Sequence, residues 1–259
     1  FRNLAVLSLL VCAITLTTFP CRVMADERTG GKWDLWCTSP LIGQIAGFIG
    51  GVHVEVHVMM DWDEKGDLFL RINRAEIPAG APVLALNEEE INRSGLDKNS
   101  GALKVYPLYS RLPVLNREIN SLFSDPASLP FIAQRILTSL SYFDPQHYPY
   151  FQRRLAEFQS RLESTVLVGM RLLENVKILD ISLHSRRLLQ AAGCNILDPA
   201  VDFWDWIDSP ESVDLYTKEF QRYNSQGVVV VADFWTPFPL RNFIMENDLG
   251  VVFQKPDPR

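Results

Sequence analysis

Cysteine is scarce in this chain, four in 259 residues, and Cys12 and Cys21 lie in an N-terminal stretch read below as a leader. Only Cys37 and Cys194 remain. One pair makes no disulfide framework, although the two could bond if the fold brought them together. Basic residues are outnumbered, 25 Lys and Arg against 31 Asp and Glu, for a net charge of −6. That balance excludes the basic footprint of a nucleic-acid binder. Catalytic signatures are missing as well. There is no Gly-x-Ser-x-Gly, no P-loop, no Gly-x-Gly-x-x-Gly after a strand, no His-Glu-x-x-His and no cysteine pair at zinc spacing. No nucleophile has a local base, so the chain reads as a non-enzyme.

What is present begins with Leu4 to Phe19, an uncharged apolar run behind Arg2. It is short for a membrane span and ends at Pro20. Val23 and Ala25 form a small-x-small cleavage site, so residues 1–25 read as a secretory signal peptide with Asp26 as the mature N-terminus. The protein is therefore expected to be exported, periplasmic or extracytoplasmic. Cys21 offers lipid anchoring as an alternative, but Phe19 and Pro20 stand where small residues are wanted. Losing Arg2 and Arg22 and no acid takes the net charge from −6 to −8.

Periodicity then sets the elements. A short strand in "KWDLWCTSP" precedes a helix opened by Ser39-Pro40, with Leu41, Ile42, Ile45, Phe48 and Ile49 on one face. Gly50-Gly51 ends it. Val52 to Val58 alternates strictly, valines to one side and His53, Glu55 and His57 to the other. A strand is expected at Val83–Leu86, a polar loop over Glu88–Gly101 and a helix over Ser128–Leu140. Asp144-Pro145 opens the longest helix, with Tyr148, Phe151, Leu155, Phe158 and Leu162 in step, running to about Leu173. Strand, helix, strand, helix, strand follow. The expected fold is α/β, with two lobes, each a mainly parallel sheet with flanking helices, joined by one long backbone helix. The lobes fall at 26–143 and 175–259, and the linking helix at 144–174.

Several side chains are candidates for a site. His53 and His57 share a strand face but stand about 13 Å apart by strand rise, so they cannot hold one ion and read as solvated or edge positions. Asp61, Asp63, Glu64 and Asp67 in "MMDWDEKGD" could give oxygen ligands to a hard cation or form a solvated acidic loop. His184 lies in a strand-to-helix turn, as a ligand or as a cap. Asp180 and Asp233 lie in or at the ends of strands, where carboxylates face a ligand crevice, and Asp233 is the better candidate. "DFWDWIDSP" and "DFWTPFP", with Trp235, could wall a cleft for an organic or cationic ligand, or only pack loops.

Four phrases in order resemble the zinc- and manganese-type metal solute-binding proteins of ABC transporters: "SPLIGQIAGFIGGVHVEVHVMM", "SDPASLPFIAQRILTSLSYFDPQHYPYFQRRLAEFQSRLE", "LLQAAGC" and "DLGVVFQKPDP". In that family a helix ending in Gly-Gly leads to a Val-x-Val strand. One Asp-Pro opens a helix, a second opens the backbone helix, and a third follows the last strand. The resemblance covers Trp33 to Pro258. It implies one divalent metal ion, zinc or manganese, captured in an inter-lobe cleft by a monomer and handed to an ABC permease at the membrane. Its ligand places fall on Asp67, Ser121, Ser182 and Asp257. Here the chain departs from the family, which uses imidazoles at the first two places and His or Glu at the third. It also lacks a His-rich acidic loop. The ligand set is therefore altered. The alternatives are a non-transporting interaction or accessory protein that has lost the metal, or a binder of a non-metal ligand.

Overall fold

The computed structural model describes residues 31–63, 67–96, 103–109, 120–182, 184–198, 210–246 and 252–254. The proposed signal peptide, Glu64, the "DFWDWIDSP" segment up to Ser209 and Asp257 lie outside them. Two compact units divide the described residues. Residues 31–109 and 127–162 make the first, and residues 120–126 and 163–254 the second.

The first unit is built on a four-stranded sheet. Its strands are β1 (Trp33–Cys37), β2 (Val54–Val58), β5 (Pro82–Ala85) and β6 (Lys104–Pro107), in the order β2-β1-β5-β6 and all parallel. Central β1 buries Leu35, Trp36 and Cys37 in succession, as a parallel strand covered on both faces must. Helix α1 (Pro40–Gly50) presents Ile42, Ile45 and Ile49 to the sheet and α3 (Leu129–Phe143) presents Ile132, Ile136 and Leu140, all buried. Helix α4 (Tyr148–Leu173) follows a 3-10 turn, Pro145–His147. It is 26 residues long, about 39 Å at helical rise. It docks on α1 through Phe158, whose ring meets that of Phe48 edge-on at 5.7 Å, and through Arg154, whose Nε donates to the Phe48 carbonyl at 2.9 Å while the guanidinium lies 4.2 Å from the Phe48 ring centroid. Glu157 pairs with both Arg154 and Arg161.

The second unit has strands β7 (Lys177–Asp180), β8 (Asn195–Leu197), β9 (Val229–Asp233) and β10 (Val252–Gln254), in the parallel order β10-β9-β7-β8. The apolar run of β9 is buried on both faces. Val230 and Ala232 pack with Phe220 and Leu240, from α6 (Pro210–Ser225) and α7 (Phe238–Glu246). Val229 and Val231 pack with Leu189 of α5 (Arg186–Ala191). Residues 120–126 join this unit because Arg187 Nη1 on α5 donates to buried Asp125 Oδ2 at 3.0 Å.

Three readings need correction. The strand expected from Val52 starts at Val54, which takes the first rung opposite Trp33. Gly51 turns the chain at φ 54°, and Gly51–His53 form a 3-10 turn, so His53 leaves the valine alternation. The acidic "MMDWDEKGD" stretch is not only a loop. Met60–Trp62 (β3) pairs antiparallel with Leu68–Leu70 (β4). The polar stretch after Asn87 holds a helix, α2 (Glu88–Arg93). Asn87 Oδ1 accepts the Glu90 N–H at 2.9 Å, and three glutamates fill the first turn, where the helix dipole favours negative charge. Strands β6 and β8, four and three residues long, are too short to show a period. Cys37 and Cys194 are free thiols, one buried and one half-buried. No helix among the described residues is long and apolar enough to cross a membrane.

Candidate functional site

Both sheets have the same topological feature. The first strand of each unit sends its first connection to a strand on one side, and the next strand of the sheet joins its other side. The switch points lie between β1 and β5, and between β7 and β9. In open parallel sheets the ligand crevice forms beyond the carboxyl ends of the strands at such a point.

At the second unit's switch point, two carboxylates organise the loops. Asp180, at the end of β7, accepts both the backbone N–H and the hydroxyl of Ser182 on Oδ1, at 3.0 and 2.5 Å. Ser182 Oγ in turn accepts the Ser185 N–H at 3.1 Å. Asp233, at the end of β9, is 1% exposed. Its Oδ2 accepts the His184 N–H at 2.9 Å and its Oδ1 the Trp235 N–H at 3.0 Å. Thr236 Oγ1 accepts the Asp233 N–H at 3.0 Å and reaches the Ile181 carbonyl at 3.1 Å. The buried His184 ring stands edge-on to Trp235, with centroids 4.8 Å apart. Arg241, also buried, donates from Nη1 to the Phe234 carbonyl and lies over the Phe234 and Phe238 rings. The loops after β7 and β9 are thus stitched together from below.

Burial raises the Asp180 pKa above the ordinary carboxylate value, against the lowering effect of the Ser182 hydrogen bonds and Arg186. Both Ser182 bonds use a single oxygen, which an asparagine carbonyl reproduces. Asp180→Asn is therefore expected to cost less than about 1 kcal/mol, or to stabilise, because it keeps the acceptor and removes a buried charge. A loss in the urea midpoint matching that of Asp180→Ala would contradict this.

At the first unit's switch point, Glu90 plays the matching part. Its Oε2 accepts the Leu86 N–H at 2.6 Å and the Thr38 hydroxyl at 2.5 Å, joining the ends of β5 and β1. The Thr38 N–H donates to the Leu84 carbonyl at 2.9 Å. Cys37 sits beside this clamp, and burial, with Glu90 second, pushes its thiol far above the ordinary range. The sequence reading missed Glu90, Thr38 and Thr236. The Asn87-x-x-Glu90 spacing, which marks a helix start, was the available signal for Glu90.

The remaining candidates have local partners. Asp61 Oδ1 accepts the Trp62 N–H at 2.8 Å, and Oδ2 lies 3.7 Å from Arg71. Asp63 Oδ1 accepts the Asp67 N–H at 2.9 Å, closing the β3–β4 turn, and Asp67 is exposed. Ser121 falls on the 3-10 turn Asn120–Phe123, its side chain outside the described set. His57 Nε2 lies 2.7 Å from Asp34 Oδ1 at the sheet edge, and its ring stacks on Trp36. Among the described residues, no group of three or more His, Cys, Asp or Glu is placed to hold a metal ion.

Solved structures match this architecture over most of its length. The laminin-binding protein Lmb of Streptococcus agalactiae, described as a bifunctional adhesin with metal-transporting activity, is 14% identical. The match covers 88% of this chain and 89% of that one at TM-score 0.60. A zinc-bound variant of AdcAII of Streptococcus pneumoniae is 15% identical over 89% and 90%, at TM-score 0.59. A manganese-bound periplasmic metal-binding protein from Candidatus Liberibacter asiaticus is 12% identical over 86% and 88%, at TM-score 0.55. The chain has the fold of metal solute-binding proteins. No protein-family model matches it, and no curated protein matches it in sequence.

Proposed function

We propose that the chain is the exported solute-binding subunit of an ABC importer and that its cargo is a divalent metal ion, zinc or manganese. The observation that carries this reading is the fold. It is shared over most of both chains with proteins solved in zinc-bound and manganese-bound forms. On this reading the protein binds and delivers its cargo and catalyses nothing. The expected donor places, Asp67, Ser121, Ser182 and Asp257, carry only oxygen. An all-oxygen set suits manganese better than zinc, which favours imidazole and thiolate.

One observation favours a second reading. The Ser182 hydroxyl donates to Asp180 and accepts from Ser185, so its proton and one of its two lone pairs are engaged inside its own loop. A scaffold that has lost the metal, acting as an accessory protein or binding a non-metal ligand near Trp235, would tolerate that arrangement.

Elemental analysis of the chain from Asp26, purified without chelator, separates the two. The metal reading expects about one equivalent of zinc or manganese and a raised melting temperature with that ion in excess, because a ligand of the folded state stabilises it. Asp67→Ala and Asp257→Ala should abolish the shift. No bound metal and no shift with either ion leaves the second reading.

A further inference from the structure

Two imidazoles join the start of α4 to the 3-10 turn before β2. The His53 and His147 rings stack with centroids 3.8 Å apart and planes 21° from parallel. The Tyr150 ring meets His53 edge-on at 4.6 Å, and Phe151 approaches at 6.3 Å. His147 Nδ1 lies 2.6 Å from Oδ2 of Asp144, and the same oxygen accepts the Trp33 Nε1–H at 3.1 Å. Asp144 is 7% exposed. The titratable and charged groups around His53 are therefore few. His147 and Asp144 come from the Pro145–His147 turn and its cap, and Tyr150 from α4. The Arg153 guanidinium lies 6.0 Å from the Tyr150 centroid, and from β1 the neutral Trp33 indole reaches Asp144.

We infer that this stack is an acid-sensitive anchor for the start of the long helix. It holds while at most one of its two imidazoles is charged and loosens when both are. Asp144 faces Nδ1 of His147 at 2.6 Å from an almost fully enclosed position. Protons on both rings would set two cations face to face with a single carboxylate, on the His147 side, and like charges at stacking distance repel strongly in a half-buried site. Burial and then His147 hold the His53 pKa below the ordinary imidazole value, with Asp144 acting in the opposite direction. Unfolded, His53 takes its proton more readily than in the fold. The stability it contributes is thus complete above the ordinary imidazole value and is lost as the pH falls below it. The parts released would be the Gly51–His53 turn leading into β2 and the Pro145–His147 turn leading into α4.

The test follows the histidine Cε1–H resonances of the exported chain from about pH 8 to about pH 5, the window in which imidazoles titrate. His53 should titrate below the ordinary imidazole value and move upward in His147→Asn. The melting temperature of the wild type should fall more steeply across that window than that of His53→Phe, which keeps an aromatic ring but takes no proton. A His53 midpoint at or above the ordinary value overturns the inference, as does an equal fall in His53→Phe. If His53→Phe does not fold, the His53 midpoint in the wild type decides alone.

Discussion

Asp233→Ala is expected to destabilise the second unit by about 3 kcal/mol, with a lowered urea midpoint at unchanged slope. The carboxylate is almost fully enclosed and takes the N–H groups of His184 and Trp235 on separate oxygens. Alanine leaves both donors without it in places water hardly reaches, at about 1–3 kcal/mol for each group left unsatisfied. Thr236 moderates the loss, because its hydroxyl retains the Ile181 carbonyl. Asp233→Asn should fall between. Its carbonyl can serve Trp235, but its NH2 then meets the His184 N–H donor to donor. The contrast with Asp180→Asn is the discriminating result, because both Asp180 bonds use one oxygen while Asp233 needs two. An Asp233→Ala protein with a wild-type midpoint would mean that the two loops are held by packing alone.

The contrast also shows where the sequence was informative. Strand-end carboxylates are legible, because a run such as "VVVVAD" can only be a buried strand and its terminal acid must then lie at the sheet edge. What the acid does there is not legible. One partner of Asp233 is a backbone N–H 49 residues away, on a loop that carries no pattern. Glu90 was hidden in a different way. The three consecutive glutamates fell in the expected polar loop over Glu88–Gly101, yet the third turns back to Leu86 and Thr38 because Asn87 starts a helix there. Ser182 was located by resemblance and not by chemistry. The Asp180-x-Ser182 spacing nonetheless predicts its bond, since a carboxylate two residues upstream can reach both the N–H and the hydroxyl.

The long helix and the buried strand at "VVVVAD" were the most legible features, because each rests on several residues in step. Short elements fail for the opposite reason. β8 has three residues and β3 and β4 three each, so pairing rather than period defines them. His53 shows how a strong period can mislead by one turn. "VHVEVHV" alternates without a flaw, but the hydrogen-bonded register opens at Val54. The first two residues belong to the turn that brings His53 against His147.

That turn depends on Gly51, and Gly51→Ala is expected to cost about 3 kcal/mol. Part of this is conformational. At φ 54° and ψ −124°, outside the left-handed helical well, an L-residue carries about 1–3 kcal/mol of strain that glycine avoids. The rest is steric. An added Cβ would stand 2.2 Å from Tyr150 Oη and 3.0 and 3.1 Å from Cζ and Cε1 of the same ring. Tyr150 cannot swing aside freely, because His53 holds its face edge-on and its hydroxyl accepts the Val52 N–H at 3.4 Å. The two contributions separate in a double-mutant cycle with Tyr150→Ala. With the ring gone, Gly51→Ala should cost only the strain, about 1–3 kcal/mol. An equal cost in both backgrounds would remove the ring from the account and leave backbone conformation alone as the reason this turn requires glycine.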